Sequence, residues 1–178
     1  MGADGGVHIT DDRLGGADLQ ATSRVLAAAV VQGGFDLVFT GVETTDARGG
    51  VIAAMLAERL GWAQLTYTSG VSVAEGKVRG ERVTPTRRVV LEADLPAVVS
   101  VVEKANSPRY PTMKGILAAK KKPVSLVGLD ALGLTGDEVA PKTRMLEWGQ
   151  LPARGKGVVV EADRLDELVD FLRARKAI

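Results

Sequence analysis

Residues 41–50 of this chain, Gly-Val-Glu-Thr-Thr-Asp-Ala-Arg-Gly-Gly, hold the types and spacing best suited to chemistry. The six residues before them, Phe-Asp-Leu-Val-Phe-Thr, read as a buried strand. The ten after them read as a helix, with Ile52, Met55, Leu56 and Leu60 as its inner stripe and Gly61 as its stop. A loop leaving the carboxyl end of a parallel strand for a helix N-terminus is where open α/β sheets bind ligands. Gly49 and Gly50 would let backbone N–H groups approach a phosphate, and the helix dipole favours the anion. Asp46 can hold a ribose. The same spacing fits a plain strand-to-helix turn, in which Asp46 only holds the turn. Neither Gly-x4-Gly-Lys-Ser/Thr nor Gly-x-Gly-x-x-Gly occurs.

Other chemistries are poorly supplied. The 178 residues include no cysteine, which excludes thiol catalysis, Cys-ligated zinc and iron–sulfur clusters. His8 is the single histidine, so a His-rich metal site cannot be built, and His8 reads as a surface or packing residue. Asp11-Asp12 fall in a polar turn with no evident proton-transfer partner. Chemistry must therefore come from a cofactor or a partner. Net charge is +1, unevenly spread: residues 104–123 hold six cations (Lys104, Arg109, Lys114, Lys120, Lys121, Lys122) and no acid, against 17 basic and 22 acidic residues elsewhere. Such a patch is either a solvated face or a docking surface for an acidic partner. Nucleic acid is not expected, because Tyr110 is the patch's only aromatic. No apolar run approaches a membrane span, and no signal or myristoylation pattern opens the chain, so a cytoplasmic protein is expected.

These residues need a scaffold, and α/β alternation supplies it. Residues 7–9 form a short expected strand. Asp18 caps a helix whose stripe reads Leu19, Thr22, Val25, Leu26, Ala29 and Val30, and Gly33-Gly34 ends it. Residues 65–73 and 77–83 read as a hairpin about Ala74-Glu75-Gly76, and 87–93 and 97–102 as further strands. Leu-Pro-Ala-Val-Val-Ser-Val-Val has so few polar side chains that it reads as a central strand. A Pro-rich loop at 106–112, a short helix at 113–121 and a strand at 124–127 follow. Residues 128–154 read as an extended arm, 157–161 as a strand, and Asp163 as the cap of a helix with Leu165, Leu168, Val169 and Leu172 on one stripe.

At 95–123 the sequence resembles the electron-transfer flavoprotein β subunit, most specifically in Asn106-Ser-Pro-Arg-Tyr and Ala-Lys-Lys-Lys-Pro123. Met-Gly-Ala-Asp at the start, the loop and helix at 41–61 with Gly41 and Asp46, and the end at 157–178 are similar to the family as well. The resemblance implies a Rossmann-like open sheet of the adenine-nucleotide-hydrolase type, with an added antiparallel hairpin and a C-terminal arm ending in a helix. It implies an α/β nucleotide-binding-type domain over 1–123 and an arm over 124–178 that packs on an α subunit. The partner α subunit would carry the redox FAD, while this chain would bind AMP or a second flavin. Electrons would arrive from acyl-CoA or other flavin dehydrogenases, and the chain would be a carrier subunit rather than an enzyme. The nucleotide site would comprise Gly41, Asp46, Gly49, Gly50, Val51 and Ile52. The dehydrogenase-docking segment would comprise Pro108, Arg109, Tyr110, Met113 and Lys114, with Met113 at the apolar anchor position.

Two departures from the family pattern carry expectations of their own. The family's opening β-α-β stretch does not precede Met1, so a fragment or a miscalled start is expected, with an incomplete sheet. The family's polar phosphate-loop residues fall on Gly50, Val51 and Ile52, leaving backbone N–H groups to bind phosphate. The rival reading is an adenine-nucleotide-binding regulatory module without a redox role.

Overall fold

A computed structural model describes residues 2–45, 48–153, 155, 157 and 159–177. They form mixed α/β structure with open sheets and four α-helices, and they divide into a unit over Met1–Arg144 and another over Met145–Ile178.

The first unit is organised about strand β7 (Ala97–Val101), which lies between β2 (Leu37–Gly41) and β3 (Ala63–Thr68) in a parallel sheet of order β2-β7-β3. Its apolar run has the burial expected of a central strand, because both faces are covered. Val98 packs with Ala27 of α1 (Leu19–Gly33) and with Ala53, Leu56 and Ala57 of α2 (Ile52–Leu60). Ala97 and Val99 face the other way, onto Leu65 and Val78. Val78 belongs to an antiparallel sheet of β4 (Gly70–Ala74), β5 (Lys77–Val83) and β6 (Arg88–Asp94). The layers are thus helices, parallel sheet and antiparallel sheet.

Local signals set several boundaries. Asp18 Oδ1 accepts the Ala21 N–H at 2.9 Å and opens α1, and Gly34, at φ +64°, closes it. The β4–β5 hairpin turns at Glu75 and Gly76, both at positive φ, which matches the right-handed twist of the two strands.

Other expectations are corrected by packing. The expected strand over 65–73 is two strands, because the chain leaves the parallel sheet after Thr68 and joins the antiparallel one at Gly70. The expected buried strand at 35–40 is β2, an edge strand bonded among the described residues to β7 alone, and Phe35 and Phe39 are exposed. Of the expected α1 stripe, only Val25 is fully buried, together with Ala21, Ser23 and Ala27. The reason is that α1 is covered on two sides. Ala27 meets α2, while Ala21 and Val25 meet Leu129 and Val139.

Leu129 and Val139 belong to the segment expected to begin an extended arm. Strand β8 (Val124–Val127) pairs in parallel with β1 (Gly6–Ile9), and two 3-10 turns follow, at Asp130–Leu132 and Asp137–Val139. Asp11 Oδ2 accepts the Leu129 N–H at 3.1 Å, and Asp18 Oδ2 accepts the N–H groups of Lys142 and Thr143 at 2.7 and 2.9 Å. By packing, the first unit therefore runs to Arg144.

In the second unit the described residues of 157–161 form no strand, and none of them has a sheet partner. Helix α4 (Leu165–Ala174) starts one residue later than expected, with Asp163 inside a 3-10 turn and Arg164 at the cap position. Its Leu165, Leu168 and Phe171 are exposed, while Asp166 and Glu167 in the first turn and Arg173 in the last suit its dipole. No helix among the described residues is long and apolar enough to cross a membrane.

Candidate functional site

Because β2, β7 and β3 are parallel, their carboxyl ends share one edge. A cleft of about 620 Å³ opens there, lined by Gly41 and Val42 at the end of β2, Tyr67 of β3, and residues 101–106 at the end of β7. Glu43, Glu103 and Lys104 bring its charge. Two carboxylates against one ammonium suit the hydroxyl and amino donors of a nucleoside better than a second anion.

The anion-suited groups lie beside this cleft. Helix α2 begins at Ile52 with Val51 at its cap, and among the described residues no side chain caps its first turn. Its leading N–H groups are left to a ligand or water. Gly50 has φ +65°, where a side chain is strained, and a Cβ on it would lie 3.1 Å from the Tyr67 Oη. A Cβ on Gly49 would press into the Leu19 methyls at 3.1 Å, so the loop rests closely on α1. Gly41 lines the cleft itself. The Ile52 side chain packs with the α1–α2 core, which leaves only its backbone for a ligand, and Val51 is exposed. Asp46 lies outside the described residues. Gly41 thus shares the cleft with Tyr67, and Gly50 approaches the Tyr67 hydroxyl.

Tyr67, Glu43 and the 101–106 loop are absent from the residues expected on sequence. Loops at strand carboxyl ends could have pointed to Glu43 and to 101–106. Tyr67 carried no signal, since Leu-Thr-Tyr-Thr reads as ordinary strand.

The second expected site is one continuous exposed segment. Pro108, Arg109 and Lys114 are exposed, Tyr110 is 95% exposed and Met113 is 72% exposed. Helix α3 (Met113–Ala119) is opened by Thr112, whose Oγ1 accepts the Gly115 N–H at 3.1 Å. This places Leu117, also exposed, one turn beyond Met113. Sequence reading missed Leu117, although its i+4 spacing was visible. The cation Lys122 pairs with Asp4 at 3.0 Å. No group of three or more metal-ligating side chains occurs among the described residues.

A sequence model of the electron transfer flavoprotein domain matches residues 1–132. The chain belongs to the electron transfer flavoprotein family. It is 44% identical to the electron transfer flavoprotein subunit beta of Mycobacterium leprae (strain TN), over all of this chain and 69% of that protein. It is 43% identical to the subunit of the same name in Mycobacterium tuberculosis (strain ATCC 25618 / H37Rv), with the same coverage. The acryloyl-CoA reductase electron transfer subunit gamma of Anaerotignum propionicum is 29% identical over all of this chain and 72% of that protein. Within the electron transfer flavoprotein family, the likeness is to the β subunit, and the role is in electron transfer.

Proposed function

We propose that this chain is the β-type half of a cytoplasmic two-chain electron carrier, pairing with an α subunit that holds most of the FAD. FAD, when bound, supplies the electron-accepting and electron-donating chemistry. This chain completes the complex, docks flavin dehydrogenases, acyl-CoA dehydrogenases among them, and catalyses no bond change of its own. One observation carries the docking role. Tyr110, Met113 and Leu117 stand exposed in one segment with Arg109 and Lys114. An unbranched thioether beside an aromatic ring adapts to several partner surfaces, and the flanking cations steer acidic ones.

The parallel β2-β7-β3 sheet, with α1 and α2 on one face, supports a Rossmann-like reading and an adenine nucleotide at its carboxyl edge. The residues fit such a group in part. Glu43 and Glu103 can accept nucleoside hydroxyl or amino hydrogens, and the uncapped start of α2 suits a phosphate, through backbone donors only. That cleft is also the observation that favours the alternative, a nucleotide-binding regulatory module without a redox role.

Co-expression with the cognate α subunit tests the reading. A yellow complex is expected, and Met113→Ala in it should slow electron delivery from a dehydrogenase several-fold without loosening the α subunit. A chain that elutes apart from a colourless α subunit, yet retains nucleotide, would establish the alternative instead.

A further inference from the structure

We infer that Tyr67 is a ligand-contacting residue of the cleft, its hydroxyl donating to the phosphate of a nucleoside monophosphate; this rests on the nucleotide reading above. The register of β3 against β7 carries the argument. Leu65 stands opposite Val99 and Thr68 opposite Val101, three steps on β3 for two on β7. One extra residue is therefore inserted, a bulge. In a regular strand, position 67 would point the same way as buried Leu65. The insertion lets Thr68 take the buried place instead and turns Tyr67 outward.

Tyr67 has φ +59°, a conformation rare for a bulky side chain and held only where the surroundings impose it. They do so here. The Tyr67 N–H donates to Ser100 Oγ at 2.9 Å, and Thr68 Oγ1 donates to the Ser100 carbonyl at 2.9 Å, with Thr68 and Ser100 both buried. The fold gains little packing from this arrangement, because Tyr67 remains 46% exposed. Tyr67 instead lines the cleft, and its Oη lies 3.1 Å from where a Cβ on Gly50 would stand. Gly50, Val51 and Ile52 offer no side-chain donor to an anion at the start of α2. The phenol brings one, and no hydrogen bond to its oxygen occurs among the described residues. A bulge that re-aims one polar aromatic side chain into a cleft is a device for a ligand.

Titration calorimetry of the full chain with AMP and with adenosine tests this. Tyr67→Phe removes only the hydroxyl, and should weaken AMP about 10-fold, as expected for loss of a hydrogen bond to a charged group, while leaving adenosine unchanged. Tyr67→Gly should weaken AMP at least as much at an unchanged or raised Tm, since glycine adopts positive φ without strain. Equal AMP affinity in Tyr67→Phe and the unsubstituted chain would overturn the inference, as would equal losses for AMP and adenosine. If the unsubstituted chain binds no AMP, the nucleotide reading fails and takes this inference with it, which separates that failure from failure at Tyr67 alone.

Discussion

The carboxylate of Asp18 serves two elements at once. Oδ1 caps α1 through the Ala21 N–H, and Oδ2 holds the Lys142 and Thr143 N–H groups and the Thr143 hydroxyl. These donors, the Ala21 N–H foremost, lower its pKa from 3.8 to about 2. Asp11 is pushed below the usual carboxylate range as well, first by its bonds from Arg13 and then by the Leu129 N–H. Both groups ionise more easily folded than unfolded. Their contribution is therefore fully present above the unfolded value of 3.8 and is lost as pH falls through the folded one. Tm should accordingly fall on acidification across that window. Asp18→Asn keeps a capping oxygen but not the charge, so it should lower Tm by a few degrees at neutral pH and reduce the loss between pH 3.8 and about 2. A variant whose Tm–pH curve runs parallel to that of the unsubstituted chain would show that Asp18 is not the titrating group.

At the scale of elements, the informative piece is 128–144, a segment with no strand or α-helix of its own. Two buried side chains, Leu129 and Val139, dock it on Ala21 and Val25 of α1. Two aspartates bind its backbone, and Arg13 joins Asp11 to Asp130 with contacts of 2.6 and 3.0 Å. The exposed ion pairs add little by themselves. Apolar docking is the larger contribution. Leu129→Ala should thus cost about 2–5 kcal/mol in urea unfolding, the range for an emptied leucine site. A loss below about 1 kcal/mol would mean that the segment lies on the core without being part of it. The two-sided burial of α1 follows from the same docking, since its small residues let α2 and this segment approach on neighbouring faces.

At the scale of the whole molecule, each unit leaves apolar surface uncovered. In the second unit, Leu165, Leu168 and Phe171 are exposed on α4, as are Trp148 and Leu151 ahead of it. An amphipathic helix with its apolar side in water is poorly stabilised alone, and a partner chain would supply the missing contact. Ending the chain at Arg144 should leave the first unit folded, with a cooperative urea transition, while abolishing co-purification with an α subunit. Retained co-purification would move the α-subunit interface to the first unit. The six cations of 104–123 belong to this scale too: on the proposed reading they steer encounter with an acidic partner, so raising salt should slow that encounter.

What the sequence determined unaided is what local chemistry encodes. Asp18 capped α1 as expected, Gly34 and Gly61 stopped their helices, and Glu75-Gly76 turned the hairpin. The run at 97–101 was legible as a central strand because burial on both faces removes polar alternation. The loop after β2 was legible as a strand-to-helix connection at the carboxyl edge of a parallel sheet, where the cleft opens. Tertiary structure decided the rest. Phe35 and Phe39 look like core residues until β2 is seen to bond on one side only. Residues 157–161 have strand composition, but the described ones pair with no strand, and a strand exists only when another accepts its hydrogen bonds. Leu129 and Val139 sit in a stretch without periodicity, and α1 alone makes them core. Tyr67 shows the principle most plainly: which of three consecutive polar residues faces inward depends on register against β7, and register is fixed by contacts 32 or more residues away in the chain.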